Sequence, residues 1–174
     1  FGTGFNGSAV YAWGYRTPFG LTQTGFGNGV GSISSFNNCH YGLFADNISL
    51  NSEYNHMINV NTACRAQLIK SDVAISHNRI DANRDAIQFF HNDGGNSAVI
   101  WDNDIVFGDN DPSSSYTGIR VEEGLLANND SRINYNRIDF RPGALSARNA
   151  IRTFAARDYF ITNNVITMTD NNYN

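Results

Sequence analysis

Ile75-Ser-His-Asn-Arg-Ile80 recurs as Ile100-Trp-Asp-Asn-Asp-Ile105, as Ile133-Asn-Tyr-Asn-Arg-Ile138 and as Ile161-Thr-Asn-Asn-Val-Ile166. The shared pattern is Ile-x-x-Asn-x-Ile. Between the copies a second phrase returns: Ala86-Ile-Gln-Phe-Phe90, Gly118-Ile-Arg-Val-Glu122 and Ala150-Ile-Arg-Thr-Phe154. Recurrence at such a narrow range of intervals, from Asn78 to Asn103, Asn136 and Asn164, defines an architecture before it defines a function.

The repeats are strands, because Ile80 and Ala82, like Ile105 and Phe107, alternate at period two and no long stripe of period 3.6 exists. A short strand, a sharp turn at Asn, a second strand and a loop make one coil of a parallel β-solenoid. Asn is expected to take the corner itself, since it tolerates the left-handed conformation better than any residue but Gly. Stacked at ~4.8 Å per rung, Asn78, Asn103, Asn136 and Asn164 are also placed to bond to one another as a ladder.

On these two phrases the chain resembles the right-handed parallel β-helix proteins of the pectate-lyase-like group, which includes polysaccharide lyases, glycoside hydrolases, epimerases and bacteriophage tailspikes. The resemblance covers roughly residues 32–169 and implies an all-β fold, a right-handed single-stranded parallel β-helix of about six coils. It supplies no catalytic residue. The Asn-Thr-Asp, Asp-Asp and Gly-His-Gly phrases of the polygalacturonases are absent, and Arg141-Pro142 followed by Arg148 has the wrong spacing for the lyase Arg-x-Pro-x-x-Arg.

The 174 residues are one domain or a piece of one, with a stacked column of Ile, Leu, Val and Phe as the expected core. The chain begins at Phe1 without a secretory signal, so it reads as processed or excised from a longer protein. A net charge of -4 with Lys70 as the single lysine argues against a nucleic-acid partner. No apolar run is long enough to insert in a membrane. Residues 1–31, densest in glycine at Gly25-Phe-Gly-Asn-Gly-Val-Gly31, are expected to be an irregular junction segment, with the β-helix domain occupying 32–174. Cys39 and Cys64 are separated by the same interval as Asn78 and Asn103, and are expected at equivalent places on neighbouring coils as buried thiols. That alignment puts Leu43 over Leu68 and Ile33 over Ile58, with Asn55 as a turn residue if Met57 replaces the second Ile. No metal or other cofactor is expected: His40, His56, His77 and His91 lack ligand spacing, and His77 reads as a solvated corner residue.

Alternation assigns Ile75, Ile80, Ala82, Ile87 and Phe89 to the interior, followed by Ile100, Ile105, Phe107, Ile119 and Val121, then Ile133, Ile138, Phe140, Ile151 and Thr153. The outward positions then form columns. Arg79, Asp104 and Arg137 alternate in charge, as cross-strand pairs do. Gln88, Arg120 and Arg152 form a second column beside Phe90, Glu122 and Phe154. Two long inserts, 108–116 and 141–148, fall on adjacent coils next to it and would wall a groove.

Aromatic faces with Arg and Gln suit sugar rings, their hydroxyls and carboxylates. Gln88, Phe90, Arg120, Arg152, Phe154 and Tyr116 are therefore the candidate substrate-binding residues. Solvated strand surface, with Phe90 and Phe154 covered by loops or a neighbouring subunit, is the competing reading. If the surface is catalytic, Glu122 is the best-placed acid, with Asp85 or Asp111 as partner; Asp81 and Asp139 are a second carboxylate pair two rungs apart. Hydrolysis needs two carboxyls ~5 to 9.5 Å apart.

The last phrase still reads as strand and is followed by no covering helix, so something must cover that end. Tailspikes do this by trimerising, and the resemblance therefore implies a homotrimer. The function expected is a carbohydrate-recognising β-helix of a tailspike-like receptor-binding protein, located on a virion tail or extracellularly, with a bacterial surface or extracellular polysaccharide as partner and with depolymerase activity left open. A secreted polysaccharide lyase or glycoside hydrolase is the first alternative, and a structural spacer in a virion or surface fibre the second.

Overall fold

The computed structural model describes residues 8–13, 20–24, 35–46, 48–67, 72–90, 97–107, 116–122, 131–141, 148–154 and 159–168. Among them there is no helix, and so none long and apolar enough to cross a membrane. Every strand pairing is parallel.

The strands sort into three ladders. The first is β2 (Gly20–Thr24), β5 (Ser49–Glu53), β7 (Val73–Ser76), β9 (Ala98–Trp101), β12 (Ser131–Asn134) and β15 (Tyr159–Thr162). The second takes β3 (Ser35–Asn37), the leading halves of β6 (His56–Gln67) and β8 (Arg79–Phe90), β10 (Asp104–Phe107), β13 (Arg137–Phe140) and β16 (Val165–Met168). The third takes β1 (Ser8–Trp13), β4 (Tyr41–Asp46), the trailing halves of β6 and β8, β11 (Tyr116–Glu122) and β14 (Arg148–Phe154). From β4 onward the chain visits third, first and second ladder in that fixed order, each time one strand further along.

The predicted columns are in register. Ile75 pairs with Ile100, Ile100 with Ile133 and Ile133 with Ile161; Ile80, Ile105, Ile138 and Ile166 follow the same order. All of the expected interior residues from Ile75 through Phe140 are buried. Phe107 stacks on Phe140 with centroids 4.9 Å apart. Burying an Ile or Phe is worth ~1.5 to 3 kcal/mol, so these columns supply the folding energy. The last rung is different: Ile161 and Ile166 are 45% and 48% exposed, Ile151 is half-buried and Thr153 is exposed, since no described strand lies beyond them.

Between first and second ladder the corner is built differently from the expectation. The residue with positive φ is the one before the ladder Asn: Tyr54, His77, Asp102, Tyr135 and Asn163, at φ 53, 53, 52, 58 and 55. Asn55, Asn78, Asn103 and Asn136 are instead buried beneath it, at 1% exposure or less. The reason is satisfaction of polar groups rather than backbone tolerance. Asn103 Oδ1 accepts from the backbone N–H and from Nδ2 of Asn78 at 3.1 and 3.0 Å, while its own Nδ2 donates to Asn136 Oδ1 at 2.9 Å and to the Ile75 carbonyl at 2.9 Å. The same pattern runs from Asn55 to Asn164. A second, outer Asn ladder, unforeseen, links Asn83 to Asn59 and Asn59 to Asn38 at the corner between second and third ladder, where Asn38 and Asn59 do carry positive φ.

Two further expectations are corrected. The junction segment is not wholly irregular: β1 and β2 lie within residues 1–31 and pair with β4 and β5, Val10 opposite Leu43 and Leu21 opposite Leu50. Short runs of β-prone residues between glycines suffice when a neighbouring strand offers a ladder; Gly25 to Gly31 lie outside the described residues, as do Ile33 and Leu68. The cysteines are buried free thiols but do not stack, because Cys64 pairs with Leu43 rather than with Cys39. The small residues set this register. Gly42 faces Ala63 and Gly118 faces Ala150, and a Cβ on either glycine would lie 2.6 or 2.5 Å from the facing carbonyl oxygen. Asn55 and Met57 take the places foreseen for them, Met57 pairing with Ile80.

Burial pushes the Cys64 thiol up to about 12, with the Ser52 hydroxyl pulling weakly the other way. Cys64 is therefore expected to resist a neutral-pH thiol reagent in the native protein and to react at once in denaturant, read by mass spectrometry. Ile133→Ala is expected to cost ~2 to 5 kcal/mol in urea unfolding as an interior cavity. Asn103→Ala orphans several buried groups, each worth ~1 to 3 kcal/mol, and is expected to cost at least as much. A loss below ~0.5 kcal/mol in either variant would assign that residue to the surface.

Candidate functional site

Side chains alternate across a strand, so the third ladder turns Ile87, Phe89, Ile119 and Val121 inward and presents two outward rows. The register makes these rows Phe44, Arg65, Gln88, Arg120, Arg152 and Asp46, Gln67, Phe90, Glu122, Phe154. The six residues Gln88, Arg120, Arg152, Phe90, Glu122 and Phe154 thus lie side by side on three successive strands. Arg65, Gln67 and Phe44 extend the surface and were missed by sequence reading. The signal was there: aligning Gly42, Ala63 and Ala86, rather than the cysteines, puts Arg65 in the row of Gln88.

The surface is internally bonded. Arg65 donates from Nε and Nη2 to Gln67 Oε1 at 3.1 and 2.9 Å, and from Nη1 to Tyr41 Oη and Gln88 Oε1, both at 3.2 Å. Its guanidinium carbon lies 4.9 Å from the Phe90 ring centroid, and that of Arg120 lies 5.2 Å from the same ring. Phe90 thus contacts two cations, each contact worth ~0.5 to 2 kcal/mol depending on desolvation. Arg120 donates from Nε to Glu122 Oε1 at 2.8 Å and pairs with it through Nη2 as well. At the far end Arg152 is exposed and Phe154 is 65% exposed.

Three predicted members stand apart. Gln88 is buried, with Nε2 donating to Asp85 and Oε1 accepting from Arg65, so it supports the surface rather than meeting a ligand. Tyr116 is fully buried, packed edge-on to Phe107 at 5.7 Å, so it cannot meet a ligand on this face. As the first residue of β11 it fills the interior beside the Phe107 and Phe140 stack instead. Asp85 is buried and accepts from Gln88 Nε2. It pairs with Thr117, while Glu122 pairs with Phe90, so the two carboxyls are five positions apart along the strand. At ~3.3 Å per residue that is ~16 Å, well outside the ~9.5 Å limit for a hydrolytic pair. Asp85 supports Gln88 and Arg65 rather than partnering Glu122. Asp111 and the bulk of both wall inserts, 108–115 and 142–147, lie outside the described residues, as does His91.

On the second ladder Asp81 and Asp139 flank Val106, two rungs apart as foreseen, and Asp104 sits between Arg79 and Arg137 with a 4.0 Å pair to Arg137. His77 is more than a solvated corner: it stacks on Tyr54 with centroids 4.7 Å apart, and its Nδ1 lies 3.0 Å from Asp102 Oδ2. Among the described residues no three His, Cys, Asp or Glu side chains converge as a metal site. Comparison with known proteins finds no matching family model, no matching curated protein and no matching solved structure.

His56 opens the row of Arg79 and Asp104. Burial, and then the Arg79 charge, holds its imidazole below the usual 6.5, while Asp81 pulls it up. The folded protein thus favours neutral His56, and the unfolded chain takes up the proton first. Stability from this group is complete above pH ~6.5 and is lost as pH falls from there toward the lower folded value. His56→Gln is expected to flatten that part of the pH dependence of urea unfolding; an unchanged slope would assign it to other groups.

Proposed function

We propose that the chain is a right-handed parallel β-helix whose third-ladder face binds a polysaccharide, as the carbohydrate-recognising part of a tailspike-like receptor-binding protein on a virion tail or outside the cell. The observation that carries this reading is the continuous outward row Arg65, Gln88, Arg120, Arg152 beside Phe90 and Phe154. Such a row places positive charge where hydroxyls and carboxylates can meet it, with Arg152 exposed and the Phe154 face alongside for a sugar ring. The fixed cyclic order of three parallel ladders supports the β-helix, because only a chain winding one way repeats it. The homotrimer belongs to the same proposal and rests on the likeness to tailspikes.

Binding is favoured over cleavage by a specific arrangement. Glu122 is held by Arg120, and Asp85 is far along the strand. With both anchoring cations removed, Arg65→Ala with Arg152→Ala is expected to weaken binding of an acidic polysaccharide about tenfold or more in an equilibrium assay. Glu122→Gln frees Arg120 and removes a like charge, so it is expected to keep or strengthen that binding. Unchanged affinity in the double arginine variant would remove the third ladder as the site. New reducing or unsaturated ends released by the unaltered chain and lost in Glu122→Gln would make the protein a depolymerase instead.

A further inference from the structure

The first ladder carries a pocket on a different face from the third-ladder surface. Its outward rows are Val99, Arg132, Phe160 and Trp101, Asn134, Thr162. Arg132, Asn134, Phe160 and Thr162 line a concavity of about 230 Å³ between β12 and β15. Two more exposed aromatics adjoin these residues: Trp101, in register with Asn134, is 40% exposed, and Tyr135, the next residue after Asn134, is 55% exposed. Phe160 itself is 54% exposed.

Two features define what such a pocket accepts. Arg132 has no ion pair or hydrogen bond among the described residues, unlike Arg120, which Glu122 occupies, and Arg65, which Gln67 and Gln88 occupy. A guanidinium with its fork open is matched by a carboxylate. Phe160 presents an apolar ring face beside it. A ligand that answers both carries a carboxylate and an apolar ring face.

We infer that the Arg132/Asn134/Phe160/Thr162 pocket is a second glycan subsite that takes a sugar residue bearing one carboxylate. The inference rests on the carbohydrate reading above but concerns a different face of the molecule. Arg132 pairs with the carboxylate and Phe160 lies against the sugar ring. Phosphate, an acceptor without an apolar face, leaves Phe160 unanswered. The volume is below the ~300 Å³ at which drug-sized pockets begin and suits a single ring rather than a long segment of chain.

The test titrates glucuronate, glucose and inorganic phosphate separately into the labelled full chain, following the Arg132 Nε–H and the Phe160 ring by NMR. Glucuronate is expected to shift both in a saturable way, with glucose about tenfold weaker and phosphate failing to move Phe160. Arg132→Ala and Phe160→Ala, both at exposed positions, are each expected to weaken glucuronate about tenfold, and Arg132→Lys to recover part of the loss. Equal shifts from phosphate, no shift from glucuronate, or an Arg132→Ala protein that binds unchanged would overturn the inference. The same variants assayed on acidic polysaccharide separate the two readings. Polysaccharide binding sensitive only to Arg65 and Arg152, with no glucuronate response at Arg132, removes the pocket and keeps the third-ladder function. Glucuronate saturation at Arg132 with polysaccharide binding insensitive to Arg65 and Arg152 keeps the pocket and removes the third ladder.

Discussion

Everything in this molecule hangs on a chain of buried carboxamides. Where the chain turns from first to second ladder, backbone N–H groups point inward to a place that water does not reach, and an unsatisfied donor there costs ~1 to 3 kcal/mol. Asn78, Asn103 and Asn136 each answer for the rung before with Oδ1 and reach the rung after with Nδ2. Each amide therefore ties three successive strands. Aspartate would lose the donor, serine the reach and glycine both, so the requirement selects Asn at that one position and leaves its neighbour free.

That neighbour explains a second feature. Tyr54, His77, Asp102 and Tyr135 hold left-handed backbone that costs a non-glycine residue ~1 to 2 kcal/mol. Glycine would be cheaper there, and the chain uses it freely elsewhere. The Tyr54 and His77 rings stack on one another, and Asp102 reaches back to His77, which offsets part of the cost. The corner is thus tiled with side chains held one rung apart.

With the corner fixed, strand geometry does the rest. Inward positions become unbroken apolar columns, and outward positions become rows whose members meet only because the register is shared. The Arg65 to Arg152 row draws on strands far apart in the chain, and no local stretch contains it. Within it, neighbours neutralise one another: Glu122 engages Arg120, and Gln67 and Gln88 engage Arg65. The first-ladder row around Arg132 lacks such neighbours among the described residues, and the two faces differ in chemistry although the same repeat builds both.

The sequence by itself determined the strands, their parallel stacking, the Ile columns, the Asn ladder and the three-strand core of the outward surface, because four near-identical phrases aligned on their Ile and Asn admit one register. It did not determine which residue takes the left-handed corner, since Asn is among the commonest non-glycine residues there and pattern reading could not see that its amide was needed below. It misaligned the cysteines because equal intervals mean equal places only when coil lengths are equal, and the early coil that brings Leu43 opposite Cys64 is shorter than the one between Asn78 and Asn103. Tertiary structure alone decided that Tyr116 faces the Phe107 stack, that Asp85 lies far from Glu122 along the strand, and that Arg132 and Phe160 share a pocket. Each of those depends on where separate rungs bring side chains together across space, and a linear pattern carries the period of a strand but not the neighbours it will meet.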